Sequence, residues 1–554
     1  MRLCTHLIAI TLLTTVIAAQ EVSVARGHEG AIAAAHPLAA EAGLAMLEAG
    51  GNAVDAATAA AFALAVVEAD GSGLGGGGVA LVRMADAEES IAIDYRSTAP
   101  AAASYQTLDY SDRDAWTHSG LAVATPGMVA GVLEMHRLCG RLPRAQVLAP
   151  AIRAARDGYE VGETFCLIIA DVYEHLIENE ACADLFLIDL FPPEPGQVLS
   201  NADLAAVLEA IAEGGPEAFY TGPIAELLAA GVQGAGGLLT AADLASYEPV
   251  IGAPVRDTYR GYTLECSPPP FAGFATLEAL SILEQFDLEG LEYPSAAAIQ
   301  IFAEAIWTAS RDYRRNLGDP RYVLVDADAY LTDDRAIEAA NEIRTGNRLL
   351  HDEAPEEAGY NPGSTTHLSV VDGEGNAVSL TQTLGGFFGS TVVAPGTGVT
   401  LNSQMINFSS RPGLVNSLMP GKRMRSSMSP VIVTRDGELR FVIGTPGHYR
   451  ITTTMPEMLL FLLEFEMPLE EAMIQPRFAL RHTTLTEDQH TDLDLEGGIS
   501  PEIATTLRAL GYRPNPLGAL HYHFGGVHAV AVDPETGEMT AVADPRRDGV
   551  ALAR

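Results

Sequence analysis

The feature that most constrains this chain is an abrupt change of texture around residues 351–363. Upstream, residues 37–67 are dominated by alanine and broken once by Gly50-Gly51. Alanine favours helix and Gly-Gly ends one, so two helices joined by a turn are expected there. Further helices are predicted between 128 and 160, through an acidic middle region to about 240, and over 275–285 behind the rigid Pro268-Pro269-Pro270 turn. Two more are predicted over 296–315 and 333–345. Downstream, β-branched and alternating stretches at 367–371, 377–383, 391–393, 430–434 and 439–443 predict strands packed face to face. The junction is acidic and carries Gly359, Pro362 and Gly363, the composition of an exposed linker. A helix-rich first two-thirds therefore joins a strand-rich last third.

Bulk properties narrow the partners. A chain of 554 residues with 48% hydrophobic and 19% charged residues has the composition of a folded protein. Its net charge of −39 disfavours nucleic acid and anionic membrane surfaces, which would repel it. Lys422 is the single lysine; a saline habitat and an arginine-favouring genome explain that equally well. Met1-Arg2, an apolar run over 7–17 and Ala18-Ala19 fit a cleaved secretory signal, with residues 1–19 removed. That run is shorter than the roughly 20 apolar residues of a membrane span, so a periplasmic or secreted protein without a span is expected. Cys139, Cys166, Cys182 and Cys266 match no zinc spacing; an oxidising compartment permits a Cys166–Cys182 bridge, but buried free thiols are expected.

Several features invite a reading that their context refuses. Gly71-x-Gly73-x-x-Gly76 matches the dinucleotide fingerprint, but the order here is helix, glycines, strand, with strands expected at 79–82 and 91–93. A turn where backbones approach closely is expected instead, and no cofactor. His521-Tyr522-His523 and His528 lack a carboxylate or cysteine at ligand spacing, so no metal site is expected. The acidic run 487–496 reads as a solvated loop, and Trp116 and Trp307 as core.

At the junction stands Gly363-Ser364-Thr365-Thr366-His367, which by itself reads first as a threonine-rich strand start but also permits a specific chemistry. A hydroxyl at the start of a strand can attack the preceding carbonyl, shift the amide to an ester, and let water cleave the chain. The new N-terminal threonine then carries an α-amine, with an ordinary pKa of about 7.7–8.0, that serves as base for its own hydroxyl. Thr365 suits this role because its β-branch restricts χ1.

Read with its surroundings, this segment resembles the γ-glutamyltranspeptidase family over nearly the whole chain from Gly27. The matching pieces are Gly51-Asn52-Ala53-Val54-Asp55, Leu74 to Gly78, Tyr95-Arg96-Ser97-Thr98-Ala99-Pro100 and Thr125-Pro126-Gly127. Tyr259-Arg260-Gly261-Tyr262, Thr365-Thr366-His367, Ser426-Ser427-Met428-Ser429-Pro430 and Asp544-Pro545-Arg546 follow in order. The resemblance implies an α/β fold of the N-terminal-nucleophile hydrolase type, a four-layer αββα sandwich. The precursor would be cleaved into a large subunit, 20–364, and a small subunit, 365–554, that share one core. It implies Thr365 as nucleophile and N-terminal base, Thr383 as its support, and the backbone N–H groups of Gly447 and His448 as the oxyanion hole. Arg96, Gln404, Asn407, Ser426 and Ser427 would bind the substrate. The implied substrates are γ-glutamyl amides such as glutathione, with an amino acid, a peptide or water as acceptor.

Three positions depart from the family pattern. His448 stands where a second glycine is usual, Gly385 where asparagine is usual, and Asn407 where an acidic residue binds the substrate ammonium. The segment 409–425 is also short for a lid loop. These changes resemble the glutaryl- and cephalosporin-acylase branch, whose acyl groups lack the α-amine. A processed binding protein without turnover is the third reading, motivated by the altered oxyanion segment.

Overall fold

The computed structural model describes residues 22–107, 112–345, 363–409, 411–481 and 491–554. The expected signal segment and the junction 351–362 lie outside the described residues.

Two seven-stranded sheets form the centre. The first runs in the order Val550–Ala553, Gly30–Ala34, Gly363–Asp372, Ala377–Gly386, Gly77–Arg83, Ile91–Tyr95, Val250–Gly252. The second runs Ser23–Gly27, Met539–Ala543, His528–Val532, Glu438–Gly444, Val431–Arg435, Tyr262–Cys266, Val255–Tyr259. Neighbours in both sheets are antiparallel.

Side-chain alternation along the strands builds three separate cores. Ala31 and Ala33 point between the sheets, with Leu81, Val371, Ile432 and Val442. Their neighbours Ile32 and Ala34 point the other way, into a core shared with the helices Pro37–Glu48, Ala53–Val67 and Arg144–Asp157. On the far side, Val431, Val433 and Ile443 pack against the helices Gly273–Glu284, Ala296–Asn316 and Ile451–Leu463. The layers are therefore helix, sheet, sheet, helix, the expected αββα sandwich.

Strands from both sides of residue 365 are present in each sheet, so the two stretches share one core. Gly30–Ala34 reads poorly as a strand because alanine and glycine have low strand propensity; burial between layers overrides it. The predicted helices and downstream strands otherwise fall within a few residues of those observed.

The acidic run needs a correction from residue 491 onward; residues 487–490 lie outside the described residues. Thr491–Leu495 is a strand, with Asp494 and Glu496 buried rather than solvated. Arg481 pairs with Asp494 at 2.7 Å and Arg546 with Glu496 at 2.6 Å, so the charges are neutralised inside. His523 also joins Asp494, at 2.9 Å. Cys139, Cys166, Cys182 and Cys266 are free, and Trp116 and Trp307 are buried.

Candidate active site

Thr365 begins at the rim of the first sheet, on its third strand, and is buried. Ser364 faces Gly385 and Thr366 faces Gln382, so Thr365 alone stands opposite the pair Thr383-Leu384. Such a bulge re-aims side chains, and here it brings two hydroxyls together. Thr365 Oγ1 donates to Thr383 Oγ1 at 3.3 Å. Thr383 Oγ1 also accepts the Gly385 N–H at 2.9 Å, which fixes its orientation.

The strand is held at both ends. Asp372, its last residue, accepts the N–H of Ala53 at 2.8 Å at the start of the helix Ala53–Val67. There Asn52 and Asp55 form a reciprocal capping box, which explains the Gly-Asn-Ala-Val-Asp motif as a structural anchor. The glycine run works through close approach: a Cβ at Gly76 would lie 2.5 Å from the Thr383 carbonyl oxygen, and one at Gly78 would lie 2.4 Å from that of Thr381. Side chains there would push away the strand that carries Thr383.

Arg547 donates to the Thr365 carbonyl at 3.4 Å. Its position follows from the Asp544-Pro545-Arg546 motif, a buried ion network. Asp544 receives Arg477 at 2.7 Å and Arg546 at 3.0 Å, and Arg546 reaches Glu496. Arg547 was missed in the sequence although it directly follows that motif.

The histidine nearest in sequence is already committed. His367 Nδ1 pairs with Thr381 Oγ1 at 2.8 Å and Nε2 with Ser369 Oγ at 3.0 Å. Burial, with His528 nearby, pushes its pKa well below the ordinary value, so the ring is neutral.

Of the other predicted residues, Gln404 touches the strand that carries Thr383. Gln404 opens the short turn Gln404–Asn407, and its Nε2 donates to the Thr383 carbonyl at 2.7 Å while its Oε1 is buried without a hydrogen-bond partner among the described residues. Asn407 ends the same turn, half-buried. Gly385 has φ +105°, and a Cβ there would lie 2.9 Å from Ser403 Oγ. Glycine at this position therefore reflects a left-handed backbone as well as a lost side chain.

Arg96 follows the strand Ile91–Tyr95 and is buried, with Nε and Nη1 lacking hydrogen-bond partners among the described residues. Burial lowers its guanidinium to about 10, against the pull of Tyr313, Asp94 and Tyr247, so it stays charged at neutral pH. Two bare donors on a buried cation are the arrangement a carboxylate would satisfy. The Tyr247 hydroxyl donates to the Arg96 carbonyl at 3.0 Å, and Tyr313 donates to the Ser426 carbonyl at 2.5 Å. Ser426 is buried and Ser427 half-buried.

Gly447 and His448 both have positive φ, +139° and +57°, and lead through a short turn into the helix Ile451–Leu463. Amide N–H groups at such a helix entry favour negative charge. Burial, then Arg450, Arg113 and Arg96, hold the His448 ring down at about 3, so it carries no charge at neutral pH. Three arginines thus gather around the turn. Arg450 has two buried nitrogens without partners among the described residues. Arg113 donates to the Ile406 carbonyl at 3.3 Å. Neither was singled out in the sequence; Arg450 lies two residues beyond His448, whereas Arg113 had no motif around it.

Comparisons with known proteins identify the family. The family model for γ-glutamyltranspeptidase matches residues 39–554. The chain is 37% identical to the glutathione hydrolase proenzyme of Escherichia coli K12, over 94% of this chain and 91% of that protein. It is 36% identical to the acylase ACY 1 proenzyme of Pseudomonas sp. V22, over 96% and 94%. Among solved structures it superimposes on the cephalosporin acylase of Bacillus halodurans with a TM-score of 0.83 and 29% identity, covering 96% of this chain and 97% of that one. The γ-glutamyltranspeptidase of Helicobacter pylori gives 0.54 and 33% over 56% and 90%. The αββα fold, the ordered motifs and these matches together place the chain in the γ-glutamyltranspeptidase family.

Proposed function

We propose that this chain is a self-processing γ-glutamyl amide hydrolase and transferase, acting on substrates such as glutathione. The observation that carries this reading is the Thr365–Thr383 hydroxyl pair at the bulge, with Arg96 buried and two of its donors bare. In processing, Thr365 Oγ attacks the carbonyl carbon of residue 364, the amide nitrogen leaves to give an ester, and water hydrolyses it. Residues 365–554 become the small subunit and the α-amine of Thr365 is released.

In turnover, that amine takes the hydroxyl proton as Oγ attacks the γ-carbonyl. The backbone N–H groups of Gly447 and His448 stabilise the oxyanion. The amine leaving group departs with the proton, and water or an acceptor amine resolves the γ-glutamyl–Thr365 ester. Arg96 holds the substrate α-carboxylate, aided by Ser426 and Ser427, while Gln404 and Asn407 face the α-ammonium. No helix among the described residues is long and apolar enough to cross a membrane. With the signal-like N-terminus, export to the periplasm or the outside is part of the proposal.

A second reading keeps the nucleophile and changes the acyl group to glutaryl or a similar half-amide. Asn407 in place of a carboxylate favours it, because a neutral amide loses the charge-assisted contact to an ammonium. Similarity to both a glutathione hydrolase and acylases fits either substrate class. Initial rates on γ-glutamyl-p-nitroanilide and glutaryl-p-nitroanilide separate them. Higher kcat/KM on the glutamyl compound supports the first reading, and preference for the glutaryl compound replaces it with the second. A fully processed protein that turns over neither compound would be the non-catalytic binder.

A further inference from the structure

Asp114, His118 and His175 converge outside the catalytic centre. Asp114 and His118 belong to the short helix Arg113–Thr117 and its C-cap, and His175 to the helix Tyr173–Glu178. Asp114 Oδ1 lies 3.5 Å from His118 Nδ1 and 3.5 Å from His175 Nε2. The two imidazoles face each other with centroids 3.6 Å apart and planes 17° apart. One ligand atom from each residue lies within 4.8 Å of the other two.

We propose that these three residues form a divalent transition-metal site of the zinc class, one that staples two segments at the rim of the active site. Metal–ligand bonds of about 2.0–2.2 Å at tetrahedral angles put neighbouring ligand atoms roughly 3.3–3.5 Å apart. The Asp114 distances already match that separation. Two imidazoles and one carboxylate suit zinc, nickel or copper better than magnesium or calcium. The set leaves a fourth position for water. Closing on an ion requires the stacked rings to splay, which χ rotations of two partly exposed side chains permit.

The chemistry around the cluster favours a cation. The net charge of −39 concentrates cations near the surface. Sequence reading missed the site because Asp114 and His118 are four residues apart while His175 comes from a separate helix. Arg113, next to Asp114, donates to the Ile406 carbonyl within the Gln404–Asn407 turn. A bound ion would therefore fix an element that touches the substrate site, without joining the reaction. This inference is independent of which acyl group the enzyme accepts.

The test uses purified full-length protein, processed or not, stripped with chelator and desalted. Zinc chloride is titrated by calorimetry, and cobalt(II) by its visible ligand-field absorption. The expected result is one saturable equivalent, a tetrahedral cobalt spectrum, and a higher Tm with zinc. His175→Ala and Asp114→Asn should each weaken zinc binding at least tenfold, with apo-protein Tm near that of the parent. The His118→Ala/His175→Ala variant should lose the cobalt spectrum. Absence of a saturable equivalent in the parent protein, or an equivalent of unchanged affinity in the double variant, would overturn the proposal.

Discussion

Thr365 and Thr383 share a hydroxyl hydrogen bond of 3.3 Å across a bulge at which one residue of the first strand faces two of the second. The Gly385 N–H occupies Thr383 Oγ1 from the other side, so the accepting oxygen cannot swing away. Thr383→Val keeps the shape and removes the hydroxyl. A lost hydrogen bond to the reacting group should lower kcat by about tenfold to a hundredfold with KM little changed. Steady-state kinetics check this; an unchanged kcat would remove Thr383 from its supporting role.

Arg96 is a buried cation with bare donors, and Tyr313, which acts on it electrostatically, donates to the Ser426 carbonyl. Arg96→Lys retains the charge but not the two-pronged geometry, and should raise KM about tenfold. Arg96→Ala should raise it about a hundredfold. Equal KM values for parent and both variants would place the substrate carboxylate elsewhere.

Gly385 carries φ +105° with Ser403 Oγ beside it. Gly385→Ala should cost about 1–3 kcal/mol and lower the thermal midpoint, because an alanine resists that backbone conformation. Calorimetric melting curves give the answer. A midpoint equal to the parent's would mean that the turn relaxes freely.

Glu457 supplies a pH test of stability. Burial raises its pKa to about 8, although it accepts hydrogen bonds from the Phe478 N–H at 3.1 Å and the Tyr293 hydroxyl at 3.2 Å. The folded protein therefore keeps a proton that the unfolded chain releases above its ordinary value of 4.5. Stability from this group is full below 4.5 and declines as pH rises towards 8. Glu457→Gln preserves the acceptor and cannot ionise, so its denaturant midpoint should exceed the parent's at pH 8 and match it at pH 4. A difference that does not vary with pH would contradict the assignment.

How much of this was legible in the sequence depended on the range of each interaction. The Ala53–Val67 helix and the Ala377–Gly386 strand were readable because propensity and burial agree there. The Gly30–Ala34 strand was not, since its alanines become strand residues only when two layers bury them. Asp494 and Glu496 looked like solvated charges because their partners, Arg481 and Arg546, are identified only by the fold. In the site, motif resemblance supplied Thr365, Thr383, Arg96 and Ser426. Arg113 and Arg547 reach it through tertiary contacts that no local pattern announces. His448 was visible as a substitution, but its neutral ring follows from burial and three arginines.

The central claim is that Thr365 becomes the N-terminus and nucleophile. Intact-mass analysis with N-terminal sequencing of the purified protein tests it most directly. The account predicts two chains, the smaller beginning at Thr365 and ending at Arg554, and a single uncleaved chain for Thr365→Ala. A smaller chain beginning at any other residue, or an uncleaved protein with full amidase activity, would contradict it.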